Sequence, residues 1–278
     1  MVDFRHTLIS LVLLSILTIN VNAQEKIVFS RSVGGINTGG TLDIMSYDLA
    51  TNKTSLLLKG TVSRRGEYNS AISPNNSKIV FNTYRFSGWK LGIADYKDGK
   101  IDNVARLTDR PNYEYNAVFS PDGTKIAYQE YNWSTRDTDI FIADQDGKNA
   151  VQFTTSKGAD STPDWAKDNK QIVFMSARSG DLDIYIKSID GKSINNLTQN
   201  EAIDFAPSTS KTEDKIAFLS DREGRVNLYV MDLNGENLIN LNVNLKTDVM
   251  TAKDFDEAHY WAYKTSWSPA GDNIVFTA

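Results

Sequence analysis

Four carboxylates recur at one fixed place in this 278-residue chain: Glu67, Glu114, Asp160 and Asp204. Each stands five residues before an anchor residue, which is Ile72, Phe119, Trp165 or Thr209 in turn. A fifth anchor, Trp267, has Ala262 in the same place. Carboxylates gathered at one level repel one another unless a cation or a hydrogen-bonding ligand offsets the charge. Two kinds of chemistry follow. The set could hold a metal ion, with calcium or manganese as the candidates, or it could receive a polar ligand such as a sugar or a peptide terminus. A structural reading stands beside these, in which each carboxylate caps a neighbouring loop or pairs with a nearby lysine or arginine.

The residues that follow the carboxylates are Tyr68, Tyr115, Ser161 and Phe205, then Asn69 and Asn116 in two of the copies. A longer connection over 244–263 carries His259, Trp261 and Tyr263. Aromatic rings with polar tips suit carbohydrate or protein recognition, because they offer large contact area with few rotatable bonds. The same rings could instead be core residues of the incoming strand, and His259 an ordinary loop histidine. The candidate ligand-binding set is therefore Glu67, Tyr68, Glu114, Tyr115, Asp160, Asp204, His259, Trp261 and Tyr263, with the four carboxylates as the candidate metal ligands.

No catalytic residue is assigned. His259 is the only histidine after His6, and neither a Gly-x-Ser-x-Gly elbow nor a His-Glu-x-x-His helix occurs. Serine hydrolase and zincin chemistry thus lack their minimum parts. Gly191-Lys192-Ser193 has the ending of a phosphate-binding loop, but the earlier glycine that loop needs is Ile186. Asp144-Gln145-Asp146-Gly147 starts like a calcium loop and lacks its distal glutamate, so it reads as a hairpin turn.

The elements that must position these residues are set by an internal repeat. The phrase Ala117–Tyr128 (AVFSPDGTKIAY) recurs at 70–81, 163–174, 207–218 and 265–276, and its second half recurs at 26–29. A third apolar run follows each second half, for example Asp139-Ile140-Phe141 or Asp183-Ile184-Tyr185. Then comes Asp98-Gly99, Asp146-Gly147, Asp190-Gly191 or Asn234-Gly235, which suit two-residue hairpin turns with positive φ. A fourth run closes the unit. Short apolar strands with regular turn signals mean an all-β fold. A repeated four-stranded antiparallel sheet is a propeller blade, which must stack on others to bury its faces.

Ser176-Ala177-Arg178-Ser179-Gly180-Asp181-Leu182-Asp183-Ile184-Tyr185 and the matching run Ser220–Tyr229, with the Ser-Pro-Asp-Gly phrase, resemble the TolB-type, WD40-like (PD40) propeller repeat. The resemblance covers the chain from Lys26 onward and matches the propeller half of TolB without its N-terminal α/β domain. It implies a six-bladed propeller whose last blade is incomplete, with five-bladed closure as the alternative. It also implies that first strands line a central channel, so that the four carboxylates would ring one mouth. The function expected is that of an exported, non-enzymatic scaffold binding a protein or peptide partner at the loop-rich mouth. The alternative is a carbohydrate-active propeller that binds or cleaves an oligosaccharide, with a cation at the acidic ring.

Composition fits these expectations. The formal charge is −5, with 40% hydrophobic and 23% charged residues. The mild, interspersed charge argues against a nucleic-acid partner. With no cysteine, disulfides and thiolate metal sites are excluded. Arg5 and His6, the apolar run from Leu8 to Ile19 and the closing Val21-Asn22-Ala23 read as a signal peptide over residues 1–23, followed by the propeller over 24–278. The run is too short to span a bilayer. No cysteine stands at the cleavage point for a lipid anchor. The expected location is periplasmic or secreted.

Overall fold

A computed structural model describes residues 26–33, 40–241 and 264–276. The segment 1–23 and the candidates His259, Trp261 and Tyr263 lie outside these residues. The chain separates into two compact units, one ending at Pro163 and the other beginning at Asp164.

In the first unit, β1 (Lys26–Val33), β2 (Thr41–Asp48) and β3 (Lys53–Leu58) form a three-stranded sheet. Next come β4 (Glu67–Ile72), β5 (Lys78–Thr83), β6 (Lys90–Lys97) and β7 (Lys100–Arg106) as a four-stranded sheet in sequence order. The following sheet holds β8 (Tyr113–Phe119), β9 (Lys125–Asn132), β10 (Asp137–Asp144) and β11 (Val151–Gln152). The unit boundary falls inside β12 (Asp160–Trp165), which opens a sheet completed by β13 (Gln171–Ser176), β14 (Asp183–Ser188) and β15 (Ile194–Asn196). The second unit continues with β16 (Asp204–Thr209), β17 (Lys215–Ser220), β18 (Asn227–Asp232) and β19 (Ile239–Asn240), then the hairpin β20 (Thr265–Trp267) and β21 (Ile274–Phe276).

Every repeat phrase thus becomes the strands expected of it, all paired antiparallel to their neighbours in sequence. The blade count is different. Five sheets have three or four strands, so the described residues form five blades and not six. The copy at 265–276 makes only a hairpin: β20 pairs with β21, and no third or fourth strand joins them among the described residues. Phe276 nevertheless packs in a core cluster with Phe205, Ala217 and Leu228.

The middle strands of each blade carry the core. Ile79-Val80-Phe81, Ile126-Ala127-Tyr128, Ile172-Val173-Phe174 and Ile216-Ala217-Phe218 are all fully buried. Continuous apolar runs are what a strand covered on both faces requires. Outer strands are short and wet: Val151 on β11 and Ile239 on β19 are exposed, and β11 and β19 have two residues each. Short edges limit sheet-to-sheet pairing with other chains.

The hairpin turns divide into two kinds. Asp98 and Gly99 both take positive φ, 54° and 73°, between directly paired Lys97 and Lys100, as a two-residue turn requires. At the β10–β11, β14–β15 and β18–β19 turns only the glycine of each Asp-Gly or Asn-Gly pair is left-handed. There the chain makes a tight turn, Gly147 N to Asp144 O, before the ladder resumes.

Candidate functional site

The four recurring carboxylates sit at the first residue of β4, β12 and β16 and the second residue of β8, and all are fully buried. Their surroundings come from the second strand of the same blade. Glu67 is directly opposite Thr83, and Arg85, two residues further on, donates from Nε to Glu67 Oε1 at 2.8 Å. Asp204 is directly opposite Ser220, and Arg222 Nη2 donates to Asp204 Oδ1 at 2.8 Å. Asn200 Nδ2 supplies a second donor to Asp204 at 2.8 Å. Arg222 also donates from Nε to Ser220 Oγ at 2.9 Å and lies over the Phe218 and Tyr229 rings, at 5.3 and 4.8 Å from their centroids. Arg178 repeats this with Ser176, Phe174 and Tyr185. The Ser-x-Arg signature therefore has a physical role. It carries a guanidinium across a stacked aromatic pair, and for Asp204 delivers it to the carboxylate, with cation–π attraction helping to hold it. Asp160 accepts from Ser156 Oγ at 3.0 Å.

Glu114 departs from the pattern. Its cross-strand partner is a second carboxylate, Glu130, and the place of the arginine is taken by Asn132. Glu114 Oε1 accepts from Thr108 Oγ1, while Oε2 makes no hydrogen bond and lies 4.0 Å from Lys90 Nζ. Lys90 is itself buried and donates to the carbonyls of Arg110 and Asn112. Glu130 is held by Arg110 and by Asn112 Nδ2 at 2.8 Å. Burial pushes the Glu114 carboxyl up to about 7, and Glu130 adds to the effect while Thr108 and Lys90 oppose it. Burial also lowers Lys90. The half-buried Asp139 on β10 is raised to about 6, by burial first and then by Asp160 and Asp137.

No group of three or more His, Asp or Glu side chains placed to hold a metal ion occurs among the described residues. The guanidinium contacts of Glu67 and Asp204 occupy oxygens that a cation would need.

Of the aromatic candidates, Tyr68 and Tyr115 are brought together, and with them a set that the repeat did not point to. Trp89 is the hub. Its ring centroid lies 5.1 Å from Tyr68, 5.1 Å from Tyr84 and 6.3 Å from Tyr115. Tyr115 continues to Tyr113, and Tyr113 to Trp133 at 4.8 Å, with Tyr131 closing on Trp133 at 4.9 Å. Most neighbours cross at 79–89°, the edge-to-face arrangement that aromatic quadrupoles favour. Tyr68 is buried, Trp133 is 54% exposed, and the others are half-buried. Gly88 makes room for this shelf: its φ is +112°, and a Cβ there would come within 2.9 Å of the Tyr113 ring. Arg65, from the segment entering β4, lies over Tyr84 and Trp89, at 5.2 and 6.0 Å from their centroids. The shelf belongs wholly to the first unit. In the second unit an open groove of about 450 Å³ is lined by Asn200, Glu201, Ala202, Asp221 and Arg222.

The missed residues left only a faint trace in the sequence. Tyr84 and Tyr131 occupy the variable middle of the Ser-x-Arg position, where other blades have Ala177 and Asp221. Trp89 and Trp133 lie in connections that the repeat leaves unmatched.

Repeated four-stranded antiparallel sheets with this burial define an all-β propeller. The sequence model of the TolB beta propeller domain, PD40, matches residues 82–278, and the chain belongs to that family. No curated protein matches the sequence. Among solved structures, a putative TolB from Agrobacterium tumefaciens is similar at 21% identity and TM-score 0.68, over 90% of this chain and 89% of that one. TolB from Acinetobacter baumannii is similar at 19% identity and TM-score 0.70, over 90% of this chain and 57% of that one. A puromycin-hydrolyzing peptidase from Mycobacterium tuberculosis is similar at 18% identity and TM-score 0.56, over 84% of this chain and 38% of that one. At these identities the similarity shows the fold. Among the described residues no helix is long and apolar enough to cross a membrane.

Proposed function

We propose that this chain is an exported, non-enzymatic scaffold that binds a protein or peptide partner. The contact surface is the shelf formed by the segments entering β4 and β8 and the β5–β6 and β9–β10 connections. The observation that carries this reading is the exposed Trp133, pinned edge-to-face between Tyr113 and Tyr131. Rigid aromatic rings with polar tips are the side chains that dominate binding energy at protein interfaces. The recurring carboxylates serve the fold, because Glu67 and Asp204 are committed to arginines of their own blades.

The test is site-specific photo-crosslinking in the native host. A photoreactive side chain replaces Trp133 in one variant and Val151, on an outer strand, in another. A defined partner adduct from position 133 and none from 151 supports the reading. The same adducts from both positions, or from 151 alone, would remove it.

A further inference from the structure

The chain carries a net negative charge, yet the shelf is bordered by cations. Arg64, Arg65 and Arg136 are exposed, and none has a carboxylate within ion-pair distance among the described residues. The acidic groups of the shelf are paired or buried: Glu67 is paired to Arg85, Glu130 to Arg110 and the exposed Asp109 to Arg106, and Glu114 is buried beside Lys90. Arg65 is the most organised of the free cations. Its guanidinium lies over two rings, and Nη1 donates to the Arg64 carbonyl at 2.9 Å, which leaves its outer N–H edge open to solvent. A guanidinium stacked on aromatic faces loses little freedom on meeting a carboxylate and offers it a fork of donors.

The ring geometry narrows the ligand further. Neighbouring rings stand near-perpendicular and in contact, so the shelf presents corners where ring faces meet and not one broad flat face. A pyranose needs a flat ring face to stack on. The corner where two crossed rings meet suits a proline, and an extended proline-rich segment has its backbone carbonyls free for the exposed Trp133 N–H.

We propose that the shelf recognises an extended, acidic, proline-containing peptide segment, with Arg65 binding a carboxylate and Trp133 and Tyr113 receiving a proline ring. This rests on the reading of the shelf as the partner surface. Charge complementarity also sets the salt response, since attraction between exposed charges fades beyond about 10 Å at 0.1 M ionic strength and over shorter distances at higher salt.

The experiment is fluorescence anisotropy of the full chain with three labelled decapeptides, (Pro-Glu)5, (Pro-Lys)5 and (Gly-Ser)5, and with oligogalacturonate as a competitor. Binding of (Pro-Glu)5 alone is expected, weakened about tenfold by Arg65→Gln and by a salt increase of similar effect. Trp133→Ala should weaken it further, with the far-ultraviolet spectrum and melting midpoint of each variant unchanged. Equal binding of (Pro-Lys)5, no binding of any peptide, or no effect of Arg65→Gln would overturn the proposal. So would binding of oligogalacturonate in place of (Pro-Glu)5, which would make the shelf an acidic-sugar site. If the peptide test fails while position 133 still crosslinks a partner, the ligand class is wrong and the surface stands. If crosslinking fails as well, the surface itself is wrong.

Discussion

Asp204 and Glu114 occupy the same repeat position and are equally buried, but they are neutralised in different ways. Asp204 has a guanidinium at 2.8 Å, delivered by the Ser-x-Arg of its own blade and held over two rings. Glu114 faces Glu130, has lost the arginine, and has only an ammonium at 4.0 Å. A buried charge is tolerated in proportion to the quality of its partner. The first site is a close ion pair, whereas burial pushes the Glu114 carboxyl of the second up to about 7. The residue eighteen positions downstream, Arg222 or Asn132, decides whether a guanidinium reaches the carboxylate, and Glu67 shows that an arginine does not cancel burial: Arg85 is 2.8 Å away and burial still raises the Glu67 carboxyl.

The largest expected effect is on the paired site. Arg222→Met leaves Asp204 buried without its guanidinium and should lower unfolding stability by about 3 kcal/mol in denaturant titration. A loss below about 1 kcal/mol would mean that Asn200 holds the carboxylate without it.

At Glu114 the expected effect is a pH dependence. Its carboxyl titrates near 4.5 in the unfolded chain and near 7 in the folded one. Between those values the folded chain holds a proton that the unfolded chain has released, so stability falls as pH rises, by up to about 1.4 kcal/mol per unit. Below the window the contribution is fully present, and above it the loss is complete. Asp139, raised to about 6, adds a smaller slope of the same sign. Glu114→Gln should remove most of the slope and match or exceed the wild type above pH 7. A slope that survives in both Glu114→Gln and Asp139→Asn would assign the proton to another group.

The smallest effects belong to the surface. Lys78 and Asp95 form an exposed pair at 2.6 Å, and Lys78→Ala should change stability by no more than about 0.5 kcal/mol. Trp133→Ala should be similarly mild in unfolding experiments while weakening peptide binding. If it unfolds the chain instead, the shelf is a piece of core and not a contact surface.

The reading from sequence found the strands wherever the phrase repeats. The burial of Ile126-Ala127-Tyr128 and its copies, the strand order and the carboxylate positions are all periodic, so each copy confirms the others. It overcounted the blades because the phrase at 265–276 specifies a first and second strand but says nothing of a third and fourth. Three hairpin turns were assigned too short, by one residue at β10–β11 and β18–β19 and by two at β14–β15, since Asp-Gly marks the glycine of a longer tight turn as readily as a two-residue loop. The aromatic shelf was half legible. Tyr68 and Tyr115 follow the repeated carboxylates, whereas Trp89 and Trp133 meet them only through connections that no other blade shares. Pairing of each carboxylate with a nearby lysine or arginine was one of the readings the sequence left open, and at Glu67 and Asp204 the partners are Arg85 and Arg222. Geometry favours it because the guanidinium, set two residues past the opposing strand position, reaches the carboxylate directly.

We propose that the recurring carboxylates serve the fold, with Glu67 and Asp204 held by arginines of their own blades. Thermal unfolding of the full chain in excess calcium or manganese, against EDTA, tests it most directly. A ligand that binds only the folded state raises its stability by mass action. The account predicts the same midpoint in all three solutions. A metal-dependent rise that disappears in Glu67→Gln or Asp204→Asn would contradict it and make the carboxylates a cation site.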